Sequence, residues 1–289
     1  MKALILGAKG NLGQDLVRRF TTAGHEAVGL DRKELDVTDS AAVRQQVLAG
    51  GYDAVVNAVA WNDVDGAEDP ANLDRVLELN AAVPGVIAAA AAKAGAAFVH
   101  YSTDYVFDGS RPGGYREDDE PRPLSVYGRS KLEGERVALA AGGRVYVCRT
   151  SKLYGTPGLS TLSKPSFVHL MLKLAATKPE LSIVDEEVGM PTFTEDLAGA
   201  TVRLLEEGHA PGIYHLVNEG EGVTWYGFAE EIFRLQDITV PRRAVPSSAF
   251  PTKAERPKYA KLLNTKFPPL RDRIEALEDF LCRATVGQT

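Results

Sequence analysis

Tyr127 and Lys131, in the run Tyr127-Gly128-Arg129-Ser130-Lys131, stand four residues apart. On a helix that spacing puts a phenol and an ammonium on one face. A phenol titrates near pH 10 and carries protons poorly at neutral pH, but a neighbouring ammonium favours the phenolate and draws that value down. Such a pair suits delivery of a proton to a carbonyl oxygen as hydride arrives from a nicotinamide, with Lys131 also holding the nicotinamide ribose. Alone, the spacing is common by chance and reads more readily as a half-buried tyrosine beside a surface lysine. Ser102, Thr103 and Asp104 narrow the choice, because they close a predicted strand, where open parallel sheets place their ligands. Either hydroxyl can hydrogen-bond and polarise a reacting carbonyl; capping of the strand end is their plainer role.

A second constellation is the run Gly7-Ala8-Lys9-Gly10-Asn11-Leu12-Gly13, between a predicted strand and a predicted helix. Gly7 and Gly10 allow a positive φ and close approach of backbone N–H groups to a pyrophosphate at the helix N-terminus, and Gly13 allows tight helix–strand packing. The spacing is G-x-x-G-x-x-G, and a simple tight turn would use the same glycines. The strand–loop–helix–strand context favours a dinucleotide. Asp31 follows 18 positions after Gly13, where an acid accepts the ribose 2′-OH of NAD. Lys9 and Arg32 suit the 2′-phosphate of NADP instead, or are solvated charges, so NADH and NADPH stay open. Asp36 and Val37 are placed beside the adenine or, alternatively, in the first turn of a helix capped near Ser40.

Positioning these groups takes an alternating chain. Short apolar runs at Ala3–Leu6, Ala27–Leu30, Ala54–Ala58, Ala97–Tyr101 and Val145–Cys148 read as buried parallel strands. Helical patterns at Leu12–Ala23, Ala41–Ala49, Leu73–Ala94 (broken near Asn80 or Pro84) and Val126–Ala140 separate them. The order predicts an α/β fold: a Rossmann-like doubly wound parallel sheet over residues 1–150. Residues 151–289, with Ser, Gly and Pro gathered at Gly155–Pro165 and Pro241–Pro257, predict a smaller C-terminal substrate lobe, from which a later strand can return to the main sheet. Its expected elements are helices at Phe167–Ala176, Thr194–Glu207, Trp225–Leu235 and Ile274–Cys282 and strands at Leu181–Val184 and Ile213–Val217.

Composition excludes other classes. The net charge of −6 and scattered Lys and Arg argue against nucleic acid as a partner. The longest apolar stretch, Ala81–Ala92, holds Pro84 and is short of the roughly 20 residues a bilayer needs, so no membrane span is expected. The N-terminus lacks a secretory apolar core, which predicts a cytoplasmic protein with Cys148 and Cys282 as free thiols. Five histidines show no zinc spacing, and no serine sits in a G-x-S-x-G elbow.

These motifs, with Asn57-Ala58-Val59-Ala60-Trp61, Tyr101-Ser102-Thr103-Asp104-Tyr105-Val106-Phe107-Asp108-Gly109 and Tyr127 through Glu135, resemble the extended short-chain dehydrogenase/reductase superfamily. Within it they resemble the dTDP-4-dehydrorhamnose reductase family. Cys148-Arg149-Thr150-Ser151, Gly189-Met190-Pro191-Thr192 and Arg256-Pro257 extend the likeness over nearly the whole chain. The resemblance implies NADPH- or NADH-dependent reduction of the 4-keto group of a dTDP-linked 6-deoxyhexulose. It implies Thr103, Tyr127 and Lys131 as the catalytic set, and Gly10, Asn11, Leu12, Asp31, Ala60 and Trp61 along the dinucleotide. Asp104 and Tyr105 would stand near the sugar nucleotide. In some members of that family Mg²⁺ joins two subunits, as in a homodimer, through acids matching Asp15, Glu195 and Asp196; a solvated carboxylate patch is the alternative.

Two departures are specific to this chain. Lys152 stands where the family has tryptophan near the sugar, and Glu186-Glu187 stand where it has Asp-Gln. Lys152 is therefore expected to contact a carboxylate or phosphate of the substrate, or to pair with Glu187. A non-catalytic, dinucleotide-binding regulatory subunit, like that of methionine adenosyltransferase, is the competing function, and a nucleotide-sugar epimerase is a third.

Overall fold

The computed structural model describes residues 1–160 and 163–286. Five strands follow the predicted alternation: β1 (Lys2–Leu6), β2 (Glu26–Leu30), β3 (Ala54–Asn57), β4 (Ala97–Thr103) and β5 (Arg144–Thr150). Between them run α1 (Asn11–Thr22), α2 (Ser40–Ala49), α3 (Leu73–Leu77), α4 (Val83–Ala94) and α5 (Val126–Ala140). The C-terminal part contributes β6 (Leu153–Tyr154), α6 (Phe167–Thr177), β7 (Leu181–Val184), β8 (Thr192–Phe193), α7 (Thr194–Glu206), β9 (Gly212–His215), α8 (Trp225–Leu235), β10 (Arg242–Val245) and α9 (Arg273–Val286).

The main sheet has six parallel strands in the order β2-β1-β3-β4-β5-β9. The order reverses between β1 and β3, which leaves a crevice at their C-terminal ends, the usual ligand position in such sheets. Both faces of β1, β3 and β4 are buried, which is why their sequences are continuous apolar runs. One face packs on α1 and α7 through Leu16, Phe20, Leu197 and Leu204, and the other on α2 and α4 through Val43, Val47, Ile87 and Ala91. A separate cluster of Phe167, Phe193, Phe228, Phe233 and Phe280 holds the C-terminal elements together.

Two features left open by the sequence take definite form, and a third differs from its reading. β9 belongs to the C-terminal half of the chain yet pairs with β5, and α7 covers α1, so both complete the first half's sheet layers. The predicted helix over Leu73–Ala94 is broken at Asn80 by a π-helical turn, Glu78–Ala82, between α3 and α4. Taken with its π-helical turn, the helical stretch Pro70–Ala94 is long and apolar enough by composition to cross a membrane, which corrects the count based on Ala81–Ala92. Here Val83, Pro84, Ile87, Ala88, Ala90 and Ala91 are buried within the fold.

Candidate active site

Gly7 adopts φ 79° at the end of β1, and its N–H and that of Ala8 donate to Leu30 O at the end of β2. This bends the glycine run across the sheet crevice and brings Asp31 beside it. A Cβ on Gly13 would lie 2.0 Å from Gly7 O, so the start of α1 approaches the loop as only glycine permits. No side chain caps α1, leaving the backbone N–H groups of its first turn for an anion. Asn11 Nδ2 donates to Thr156 O, while its buried Oδ1 has no hydrogen-bond partner. The uncapped helix end, the glycine cradle and this orphaned acceptor fit a dinucleotide pyrophosphate.

The other predicted cofactor residues divide. Asp31 lies at the crevice rim, with its backbone N–H donating to Glu34. Lys9 is held 2.8 Å from Glu34, and Arg32 is exposed beyond the strand. The Asp36 carboxylate accepts from the N–H and hydroxyl of Thr38, which hold it below the usual carboxylate range. Val37 is buried with Leu35 in the core. Ala60 and Trp61 follow β3 on the same rim. Asn80 grips Trp61 there, accepting from its N–H at 2.8 Å and donating to its carbonyl at 3.2 Å.

The reactive side chains meet across the ends of β4 and α5. Ser125 caps α5 by accepting from Gly128 N–H, which starts the helix so that Tyr127 and Lys131 both turn inward. Gly128 and Gly134 make the close approach possible: a Cβ would sit 2.3 Å from Tyr105 O on the first and 2.0 Å from Asn80 O on the second. The Tyr127 ring packs edge-on against Tyr105, with centroids 5.6 Å apart. Lys131 Nζ donates to Tyr101 O at 2.6 Å and lies 3.5 Å from His100 Nε2. Thr103 Oγ1 donates to Asp104 Oδ1 at 3.0 Å, and Ser151 Oγ donates to Asp104 Oδ2 at 2.6 Å. Ser102 Oγ is buried without a partner.

The electrostatics correct one expectation. Burial pushes the Tyr127 phenol up to about 12, with Thr103 acting the other way, rather than drawing it down. The same burial draws Lys131 down to about 8, with the Glu135 carboxylate working the other way. Desolvation dominates both values because both groups are shut away from water, and Lys131 is not among the groups that act on the phenol. Asp104 is likewise raised by burial, opposed by Ser151, Thr103 and Lys152.

Lys152 Nζ reaches the backbone carbonyl of Glu187, not its carboxylate. The expected metal ligands face arginines. Asp15 accepts from Arg18 and Thr194, Glu195 from Arg18 and Arg283, and Asp196 from Arg271 and Asn218. Guanidinium groups already meet their charge, and no group of three or more acids, histidines or cysteines suited to a metal occurs among the described residues. These residues do not fit a Mg²⁺ site.

Sequence reading missed the supports. Asn80 also donates to Ser130 Oγ, which donates to Tyr127 O, tying the Trp61 rim to α5. Arg149 and Glu135 form a bidentate pair behind Lys131, at 2.9 and 2.7 Å. Glu135 shared the helix face of Lys131 at i+4, but its partner on β5 has no local signal.

The sequence profile described as the RmlD substrate binding domain matches residues 1–277. A dTDP-4-dehydrorhamnose reductase of Mycolicibacterium smegmatis is 38% identical, with 100% of this chain and 87% of that one aligned. The crystal structure of a dTDP-4-dehydrorhamnose reductase from Clostridium acetobutylicum superposes with a TM-score of 0.92 at 36% identity, covering 99% of this chain and 100% of the other. That of the Bacillus anthracis dTDP-4-dehydrorhamnose reductase, solved in complex with NADP, gives 0.91 at 32% identity over 98% and 100%. With the profile matching residues 1–277 and these relatives aligned over nearly its whole length, the chain belongs to the RmlD substrate-binding domain family.

Proposed function

We propose that this chain is an NAD(P)H-dependent oxidoreductase that reduces the 4-keto group of a nucleotide-linked 6-deoxyhexulose, with a dTDP-linked sugar as the substrate its relatives' names favour. The observation that carries this reading is the burial of Thr103, Tyr127 and Lys131 at the end of β4 and the start of α5, two strands along the sheet from the glycine cradle that follows β1. Gly7, Gly10, Asn11, Leu12 and Gly13 would hold the pyrophosphate, Asp31 the adenine ribose, and Ala60 and Trp61 the rim. NAD(P)H supplies the hydride. Thr103 would hydrogen-bond the carbonyl, and Tyr127 would give its proton to the oxygen as it becomes an alkoxide. A phenol at about 12 is fully protonated at neutral pH, and an alkoxide is more basic still, so the transfer runs downhill. We place the sugar nucleotide between Asp104 and Tyr105 and the C-terminal elements from residue 151 on, apart from β9 and α7.

Purified chain is expected to oxidise NADPH or NADH with a dTDP-linked 4-keto-6-deoxyhexulose. Binding of the cofactor without turnover of dTDP-, UDP- or GDP-linked keto-sugars would overturn the reading. Conversion of a sugar nucleotide without net cofactor oxidation would identify an epimerase instead.

A pH dependence follows from Lys131. In the free chain its ammonium is intact below about 8 and lost above it. A ribose bonded to that ammonium raises the value in the complex, so binding takes up a proton above pH 8. NADPH affinity should be flat from about pH 6 to 7.5 and then fall up to about tenfold per pH unit. Lys131→Met should weaken binding and remove the slope. Fluorescence titration across this range checks it, and an affinity unchanged to about pH 9.5 in the unaltered chain counts against the assignment.

A further inference from the structure

Lys152 is a half-buried cation whose backbone takes the left-handed conformation, at φ 45°. Few residues other than glycine adopt it without a compensating gain. Its Nζ donates to Glu187 O at 2.6 Å and Val223 O at 3.2 Å, and lies 3.9 Å from the centroid of the Trp225 ring. An ammonium has three donors, and two carbonyls and one π face take all three. None is left for a substrate carboxylate or phosphate.

The partners lie on two separate segments, one before Met190 and one entering α8. They are already in register, since Gly189 and Val223 exchange backbone hydrogen bonds at 3.1 and 2.9 Å. Trp225 Nε1 closes the ring by donating to Glu187 Oε2 at 3.0 Å. A Cβ on Gly189 would lie 2.7 Å from Lys152 Cε, so glycine there leaves room for the lysine stem. The adjacent residue, Ser151, holds Asp104 Oδ2 and accepts from Met190 N–H at 3.3 Å. The dipeptide Ser151-Lys152 thus connects Asp104, at the reactive end of β4, to both segments.

We propose that Lys152 is a positioning residue, a charged clasp that fastens the Glu187 and Val223 segments over Trp225 and fixes the wall facing Asp104 and Tyr105, without itself touching the substrate. The proposal rests on the reductase reading for the identity of the cleft, but the clasp is measurable without turnover. Asp104 and Glu187 are the charged groups that favour its ammonium, Arg256 acts on Glu187 as well, and Tyr105 and Tyr127 feel Asp104. Burial draws the lysine down to about 8, so the clasp changes charge within an accessible range.

The chain has two tryptophans, so in a Trp61→Phe background Trp225 is the single indole. Its fluorescence should titrate with a midpoint near pH 8, and Lys152→Met should abolish that titration with the circular dichroism unchanged. In the otherwise unaltered chain, Lys152→Met should raise the KM for the dTDP-linked keto-sugar about tenfold, keep kcat within about twofold and leave NADPH affinity unchanged. Lys152→Arg, which keeps charge and donors, should recover most of the KM. A Trp225 signal independent of Lys152, or an unchanged KM in Lys152→Met, overturns the clasp; a fall in kcat with constant KM overturns it in favour of a direct reactive role. If Lys152→Met fails to fold, the titration in the Trp61→Phe chain and the KM of Lys152→Arg decide. Absence of turnover in every form would count against the reductase reading, and the fluorescence titration would still decide the clasp.

Discussion

Tyr127→Phe is expected to lower kcat by about a thousandfold, within the range that a positioned proton donor contributes, while NADPH affinity stays within about threefold. The phenylalanine ring keeps the edge-on contact with Tyr105 and removes only the hydroxyl, in a site closed to water. Without that hydroxyl, the developing alkoxide loses the phenol that would give it a proton. Thr103 can turn its hydroxyl from Asp104 to hydrogen-bond that oxygen, but an aliphatic hydroxyl is a far weaker acid than a phenol and does not give up its proton. Stopped-flow hydride transfer, with cofactor binding measured separately, distinguishes chemistry from binding. Hydride transfer slowed less than tenfold would remove Tyr127 from the reaction. The raised phenol adds a second expectation: activity should show no limb from Tyr127 ionisation below about pH 10.

Arg149→Met should destabilise the fold by about 3–5 kcal/mol, the usual cost of leaving one member of a buried ion pair without its partner. Arg149 is 1% exposed, and its guanidinium meets both Glu135 oxygens, lies 5.1 Å from the Phe107 ring centroid, and donates to Glu117 O. Truncation strands the Glu135 carboxylate in the core. The double change Arg149→Met with Glu135→Leu should recover most of the loss, since apolar replacement of a whole buried pair is often neutral. Urea denaturation of the single and double variants gives the comparison, and a single-variant cost below about 1 kcal/mol would show that Glu135 finds another partner. The double variant also reports on the site. Glu135 supports the charge of Lys131, so its removal should shift the pH at which NADPH affinity begins to fall to below 8.

Much of this molecule is legible in order. The apolar runs that became β1, β3, β4 and β5 are continuous because both sheet faces are covered, and the glycine loop announces itself by its place between a strand and a helix. The Tyr127/Lys131 spacing was sufficient to place both side chains on one helix face, since helical periodicity is a local property. The break near Asn80 was visible as an interruption, but its use was not: Asn80 serves Trp61 and Ser130, nineteen and fifty residues away in sequence.

What the sequence alone determined is therefore the parallel-sheet architecture, the dinucleotide loop and the reactive pair, each encoded in residues close together in the chain. The tertiary structure decided their energetics. Whether Lys131 lowers Tyr127 depends on how much water each retains, and burial by α5 packing on β4 pushed the phenol up and the ammonium down. Whether Lys152 meets substrate or protein depends on where two distant segments place their carbonyls. The same holds for Asp15, Glu195 and Asp196, which read as a cation site until Arg18, Arg271 and Arg283 were folded against them. Charge and desolvation act through space, so a linear pattern can nominate a side chain for chemistry but cannot say what will surround it.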